Sequence, residues 1–133
     1  MTGASDPTAR APLRVLLADD SAVVRDRIAA ILAALDGVVV VGQPRDTDAT
    51  LAALAATSPD VVVLDLFMPG GGGLVVLDSL ARDGHKPTVI VFTNFPDQEY
   101  RNACARLGAH HFLDKSHDAP ELIRLIEEMA EAR

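Results

Sequence analysis

Five side chains in this sequence have types and settings suited to a single reaction. Asp19 and Asp20 follow the apolar run 13–18 (LRVLLA), and Asp65 lies within 61–66 (VVVLDL). Thr93 follows 88–92 (TVIVF), and Lys115 comes just past 109–113 (AHHFL). Three carboxylates crowded together repel, and one is driven toward protonation unless a cation compensates. An all-oxygen set suits a small hard cation, and Mg²⁺ fits best because it keeps several of its waters. A phosphate oxygen can join its shell, Lys115 can neutralise a second oxygen, and Thr93 can donate to a third. Asp65 is left as the nucleophile, and a carboxylate attacking phosphorus gives an acyl phosphate. The protein then only positions groups and stabilises charge.

Those residues can meet only if their elements bring them to one edge. The β-branched runs at 13–18, 38–42, 61–66, 88–92 and 109–113 predict five strands. Between them lie stretches of helical length at 22–35, 46–57, 73–82, 97–107 and 119–132. On the first of these Val24, Ile28, Ile31 and Leu35 form the apolar stripe, leaving Arg25 off it. Alternating strands and helices predict an α/β fold: a five-stranded parallel sheet with right-handed crossovers and helices on both faces. In such doubly wound sheets the site lies beyond the carboxyl ends of the strands, at the switch in strand order. The flavodoxin-like order 2-1-3-4-5 makes strands 1, 3, 4 and 5 neighbours, and the five groups converge. Asp118 with Glu121 has the spacing of a capping box. Asp97 is placed to cap the fourth helix, and Gly37, Gly84 and Gly108 to end helices.

Composition narrows the classes. The 133 residues suit one domain, with 49% apolar and 23% charged residues, enough for a core. A net charge of −7 argues against direct nucleic-acid binding and against attraction to anionic lipid. One cysteine excludes an internal disulfide, and no apolar stretch is long enough to span a membrane. The expectation is a cytoplasmic single domain over 13–133. Residues 1–12 form a disordered tail, too polar to offset their ordering entropy.

Four segments then carry a resemblance: VLLADDSAVVR, VVVLDLFMPGGGGL, VIVFTN and GAHHFLDKS. In order and in spacing, including Asp65 to Met68-Pro69 and on to Gly73, the sequence resembles a response-regulator receiver domain of two-component signalling. It is similar to the single-domain chemotaxis type. The resemblance implies that Asp65 accepts a phosphoryl group from a sensor histidine kinase or phosphotransfer protein. It implies Asp20, Asp65 and the Phe67 carbonyl as direct Mg²⁺ ligands, with Asp19 acting largely through water. Thr93 and Phe112 become a switch pair, one moving toward the phosphoryl group and the other turning inward behind it. The helix 4, strand 5 and helix 5 face would report to a downstream protein, with phosphorylation-dependent homodimerisation left open. Such a module is not an enzyme, beyond catalysing its own phosphoryl transfer and autodephosphorylation.

The sequence departs from the family pattern in places. Ser116 follows Lys115 where proline, joined by a cis bond, is common. Without proline a cis bond costs about 2.5–4 kcal/mol, so this loop is strained or trans. Asn94 replaces a small residue, and Phe67 and Phe95 stand where polar side chains would orient an attacking water. That crowding predicts a long-lived acyl phosphate. A receiver acting as an interaction module without phosphorylation is the alternative that Ser116 and Asn94 keep open. An aspartyl-nucleophile phosphatase would need an acid at position 67, and a flavin carrier would need a Ser/Thr-rich loop after the first strand.

Other residues have plainer readings. Gly70–Gly73 lacks the Lys-Ser/Thr ending of a phosphate-binding loop and reads as a mobile loop. His110 and His111 point to opposite faces of a strand and do not share a ligand. Cys104, between alanines in a helix, reads as core filler.

Overall fold

The structure, a computed structural model, describes residues 11–133. The expected tail over 1–12 therefore lies outside the described residues, except for exposed Ala11 and Pro12. Ten elements alternate along the chain: β1 (Leu13–Ala18), α1 (Ala22–Ala33), β2 (Val38–Gly42), α2 (Thr47–Thr57), β3 (Val61–Leu64), α3 (Gly73–Arg82), β4 (Thr88–Thr93), α4 (Gln98–Arg106), β5 (His111–Asp114) and α5 (Ala119–Glu131). The strands form one sheet in the order β2-β1-β3-β4-β5, every neighbouring pair parallel. This is the expected doubly wound topology.

Strand alternation divides the core into two layers. Leu13, Val15, Leu17, Val61 and Val63 face one way, against Ile28, Ala29 and Leu32 of α1 and Leu122, Leu125 and Ile126 of α5. Leu16, Ala18, Val62 and Leu64 face the other, against Leu54 of α2, Val76, Leu77 and Leu80 of α3 and Cys104 of α4. All four β3 residues are buried, as a strand covered on both sides requires. Each such Val or Leu contributes about 1.5–3 kcal/mol. Trimming Leu64 to alanine would remove about 2–5 kcal/mol through the cavity it leaves.

Several local expectations are corrected. Ile31 is exposed, and Leu32 and Ala29 are buried beside the expected Ile28, with Val24 and Leu35 of the stripe packed partly buried against the same core. Asp97 and Asp118 stand at helix starts, but neither side chain caps its helix. Asp118 Oδ2 accepts from the Asp114 N–H at 2.9 Å, and Glu121 pairs with Arg124, so no capping box forms. Ser21 does cap α1, its hydroxyl accepting from the Val24 N–H at 3.3 Å. All described peptide bonds are trans, including Lys115–Ser116.

Candidate functional site

The site is assembled where β1, β3, β4 and β5 end. Asp19 leaves β1 with its N–H on the Pro44 carbonyl at 3.1 Å. Its Oδ1 accepts from the Ser21 N–H at 2.9 Å, which turns the chain into α1 and leaves Asp20 exposed at the lip. Asp65 follows β3 with its N–H on the Ala18 carbonyl at 3.0 Å, and its Oδ1 accepts from the Phe67 N–H at 3.3 Å. Carboxylate oxygens of Asp19, Asp20 and Asp65 lie within 4.8 Å of one another, a spacing one ion can bridge. It is the only such group of metal-ligating side chains among the described residues.

Lys115, just past β5, completes the cluster. Its ammonium lies 2.7 Å from Asp19 Oδ2 and 3.3 Å from Asp65 Oδ2, and all three side chains are almost fully buried. Its N–H donates to the Thr93 carbonyl at 2.9 Å, holding the β5 exit against the β4 exit. Burial pushes the Asp65 carboxyl up to about 6; Lys115 pulls it down and Asp19 pushes it further up. Two buried acids and one ammonium thus leave excess negative charge beside a solvent-facing third acid. That donor set, all carboxylate oxygen with one open side, fits a hard divalent cation.

Thr93 is buried at the end of β4, but its hydroxyl accepts from the Phe95 N–H at 3.2 Å and is turned to that loop, not to Asp65. Phe112 lies on β5 beside Val91, half-buried against the α3–α4 layer. Phe67 turns its ring outward to meet Phe95, ring centres 4.4 Å apart, and the edge of Tyr100 at 5.3 Å. Phe67 and Phe95 remain 41% and 50% exposed, so they form an apolar lip on the loops that follow Asp65 and Thr93.

The glycine run has a different reason from the one expected. A Cβ on Gly72 would stand 2.3 Å from the Leu66 carbonyl oxygen, and one on Gly73 would stand 2.5 Å from that of Asp65. The loop is also tethered: Gly72 N–H donates to Thr47 Oγ1 at 2.8 Å, and Thr47 N–H to the Pro69 carbonyl at 2.9 Å. The glycines allow the loop to fold back over the chain that carries Asp65.

Three supporting residues escape a reading of the sequence. Thr47 makes its contact across 25 residues and gives no local sign. Arg101 reaches from α4 to Phe112. Arg25 donates to the Asp19 carbonyl at 2.7 Å. One signal for Arg25 was available, since a cation in the first turn of a helix opposes the macrodipole and needs an acidic neighbour to offset it. His110, just before β5, accepts from the Val89 N–H of β4 through Nδ1 at 2.9 Å. Cys104 is fully buried, and burial pushes its thiol up to about 11, as core filler would have it.

A family model described as the response regulator receiver domain matches residues 15–127. The chain is 39% identical over 109 residues to protein-glutamate methylesterase/protein-glutamine glutaminase 5 of Myxococcus xanthus, covering 81% of this chain and 31% of that protein. It is 34% identical over 110 residues to transcriptional regulatory protein LiaR of Bacillus subtilis, covering 83% and 52%. Its fold is similar to the signal receiver domain of the response regulator NarL from Mycobacterium tuberculosis. There the TM-score is 0.84 at 27% identity, covering 93% of this chain and 100% of that one. The chain spans about a third to a half of the length of the curated relatives named here. The match across nearly all the described residues, on the same sheet and with the acids at its strand exits, means that the chain belongs to the response regulator receiver domains, the phosphorylation-controlled modules of two-component signalling.

Proposed function

We propose that Asp65 accepts a phosphoryl group from a phosphohistidine of a sensor histidine kinase or phosphotransfer protein. An Asp65 carboxylate oxygen bonds to phosphorus as the N–P bond breaks, its electron pair leaving with the imidazole. Asp20, Asp65 and the Phe67 carbonyl would hold Mg²⁺ directly and Asp19 through water; the ion supplies charge neutralisation for the incoming phosphoryl oxygens. Lys115 leaves its carboxylate partners to neutralise another oxygen, and Thr93 turns its hydroxyl from Phe95 to a third. Phe112 then moves inward, and the α4–β5–α5 face reports the change to a downstream protein. We take residues 13–133 to be the working unit, in the cytoplasm, with no turnover beyond the domain's own phosphorylation and dephosphorylation. No described helix is long and apolar enough to cross a membrane.

The observation that carries this reading is the buried contact of Lys115 with both Asp19 and Asp65 beside exposed Asp20. The test is incubation with Mg²⁺ and acetyl phosphate, read by intact mass. A gain of one phosphoryl group, lost in Asp65→Asn and without Mg²⁺, is expected. No gain in the unaltered chain, or an equal gain in Asp65→Asn, overturns it.

A further inference from the structure

Arg101 stands in the first turn and a half of α4, and its guanidinium carbon lies 4.6 Å from the centre of the Phe112 ring. One of its terminal nitrogens also donates to the Phe112 carbonyl at 3.3 Å. A single side chain therefore holds both the ring and the main chain of one β5 residue. The strand register gives this contact its meaning. Phe112 pairs with Val91, and Thr93 lies two residues further along β4. Residues two apart on a strand share a face, so Thr93, Val91 and Phe112 project into the layer that α4 covers.

The ring is not fixed by close packing alone. It is half-buried, and an open groove of about 120 Å³ lined by Arg101, Cys104, Ala105, Ala109, His110, His111 and Phe112 adjoins it. Where the neighbouring side chains leave the ring room to turn, a cation held over its face favours one orientation. The orientation seen is that of the unmodified chain, because the Thr93 hydroxyl is engaged with Phe95 and the Asp65 carboxylate with Lys115 and Phe67.

We propose that Arg101 is a positioning residue that latches Phe112 in its unmodified orientation, so that α4 resists the inward turn of the ring. The proposal rests on the reading of Asp65 as phosphoryl acceptor and of Thr93 with Phe112 as the moving pair. Inward movement of Phe112 must give up the ring contact with Arg101, and removing the guanidinium lowers that barrier. A cation over a partly exposed ring corresponds to a factor of about two to five in an equilibrium constant.

The experiment uses the full chain labelled with 4-fluorophenylalanine, the Phe112 fluorine signal being assigned by its absence in Phe112→Leu. Beryllofluoride with Mg²⁺ serves as the phosphoryl mimic. In Arg101→Leu the free protein's Phe112 signal should move toward its beryllofluoride-bound position, and beryllofluoride affinity should rise about two- to fivefold. Arg101→Lys, which keeps a cation without the planar fork, should fall between. In a Phe112→Leu background the Arg101→Leu effect should vanish. An unmoved Phe112 signal, unchanged or weakened affinity, or an effect that persists without Phe112 overturns the latch. An unaltered chain that takes up neither beryllofluoride nor a phosphoryl group overturns the acceptor reading and the latch together. An unaltered chain that takes them up, beside Arg101 variants that behave identically, overturns the latch alone.

Discussion

The Lys115 ammonium lies closer to Asp19 than to Asp65, at 2.7 Å against 3.3 Å. One cation is shared between two buried carboxylates and compensates the residue of the β3 exit less fully. Burial outweighs the pull of Lys115 at Asp65, Asp19 adds to it, and the carboxyl is pushed up to about 6. In the proposed reaction Asp65 attacks as the carboxylate, and its burial holds it close to the protonated form. Any added positive charge tips it toward the carboxylate.

The first expectation concerns pH. An acid whose folded pKa exceeds its unfolded value holds its proton more tightly when folded, so ionising it costs stability. Here the penalty is absent below the ordinary value of 3.8, grows as pH rises toward 6, and is fully present above that. Asp65→Asn should therefore stabilise the chain at pH 7.5 by about 1–3 kcal/mol in urea unfolding without Mg²⁺. The gain should shrink toward zero near pH 4. Carboxyl carbon NMR should show Asp65 titrating near 6, and Mg²⁺ should move that titration down. A stabilisation independent of pH would contradict this account.

The apolar lip leads to a second expectation. Phe67 and Phe95 meet with their ring centres 4.4 Å apart, two residues past Asp65 and past Thr93, where in the proposed phosphorylated form a polar side chain would orient water. Neither ring can accept a proton or align a water, so hydrolysis lacks that assistance. The phosphorylated chain should be long-lived, and Phe67→Asn or Phe95→Glu should speed its decay about tenfold or more. Decay followed by intact mass after removal of acetyl phosphate gives the rate. Loss within seconds, unaffected by either substitution, would show that the rings do not limit water.

Much of this organisation is legible in the sequence because its signals are local and periodic. Apolar runs give strands, the alternation with helical stretches gives a parallel sheet, and parallel order delivers Asp19, Asp20, Asp65, Thr93 and Lys115 to one edge. What escapes depends on contacts between distant segments. Asp118 and Glu121 have the spacing of a box, yet Asp114 and Arg124 compete for them. Ile31 fits the aliphatic stripe of α1, yet its neighbour Leu32 is the one buried against the sheet. The glycine run reads as looseness until Leu66 and Thr47 are seen behind it.

Those glycines give a third expectation. Gly72→Ala and Gly73→Ala would drive a methyl group into the backbone oxygens of Leu66 and Asp65, which cannot move without shifting Asp65. Gly72 also has φ +81°, a region strained for other residues. Each substitution should lower stability by about 2–3 kcal/mol and reduce acetyl phosphate labelling of Asp65. Thr47→Val, which leaves the Gly72 N–H buried and unpaired, should remove about 1–3 kcal/mol. Gly84→Ala, where a Cβ meets nothing within 4 Å, is the neutral control. Equal effects at Gly72 and Gly84 in urea unfolding would refute the close-approach argument.

The last expectation sets two effects of one residue against each other. Arg25 donates to the Asp19 carbonyl at 2.7 Å, fixing the peptide plane between Asp19 and Asp20. Its charge also lies near the acids and opposes a second cation. Removing that charge alone would tighten Mg²⁺ binding, whereas freeing the peptide would let the exposed Asp20 swing away and weaken it. The charge is partly solvated and screened, while the hydrogen bond acts on one of the three carboxylates directly, so the positional effect should win. Arg25→Ala should bind Mg²⁺ about tenfold more weakly by calorimetry, with Arg25→Lys recovering part of the loss. Tighter binding in Arg25→Ala at low salt, reversed by added salt, would mean that Arg25 acts only through its charge.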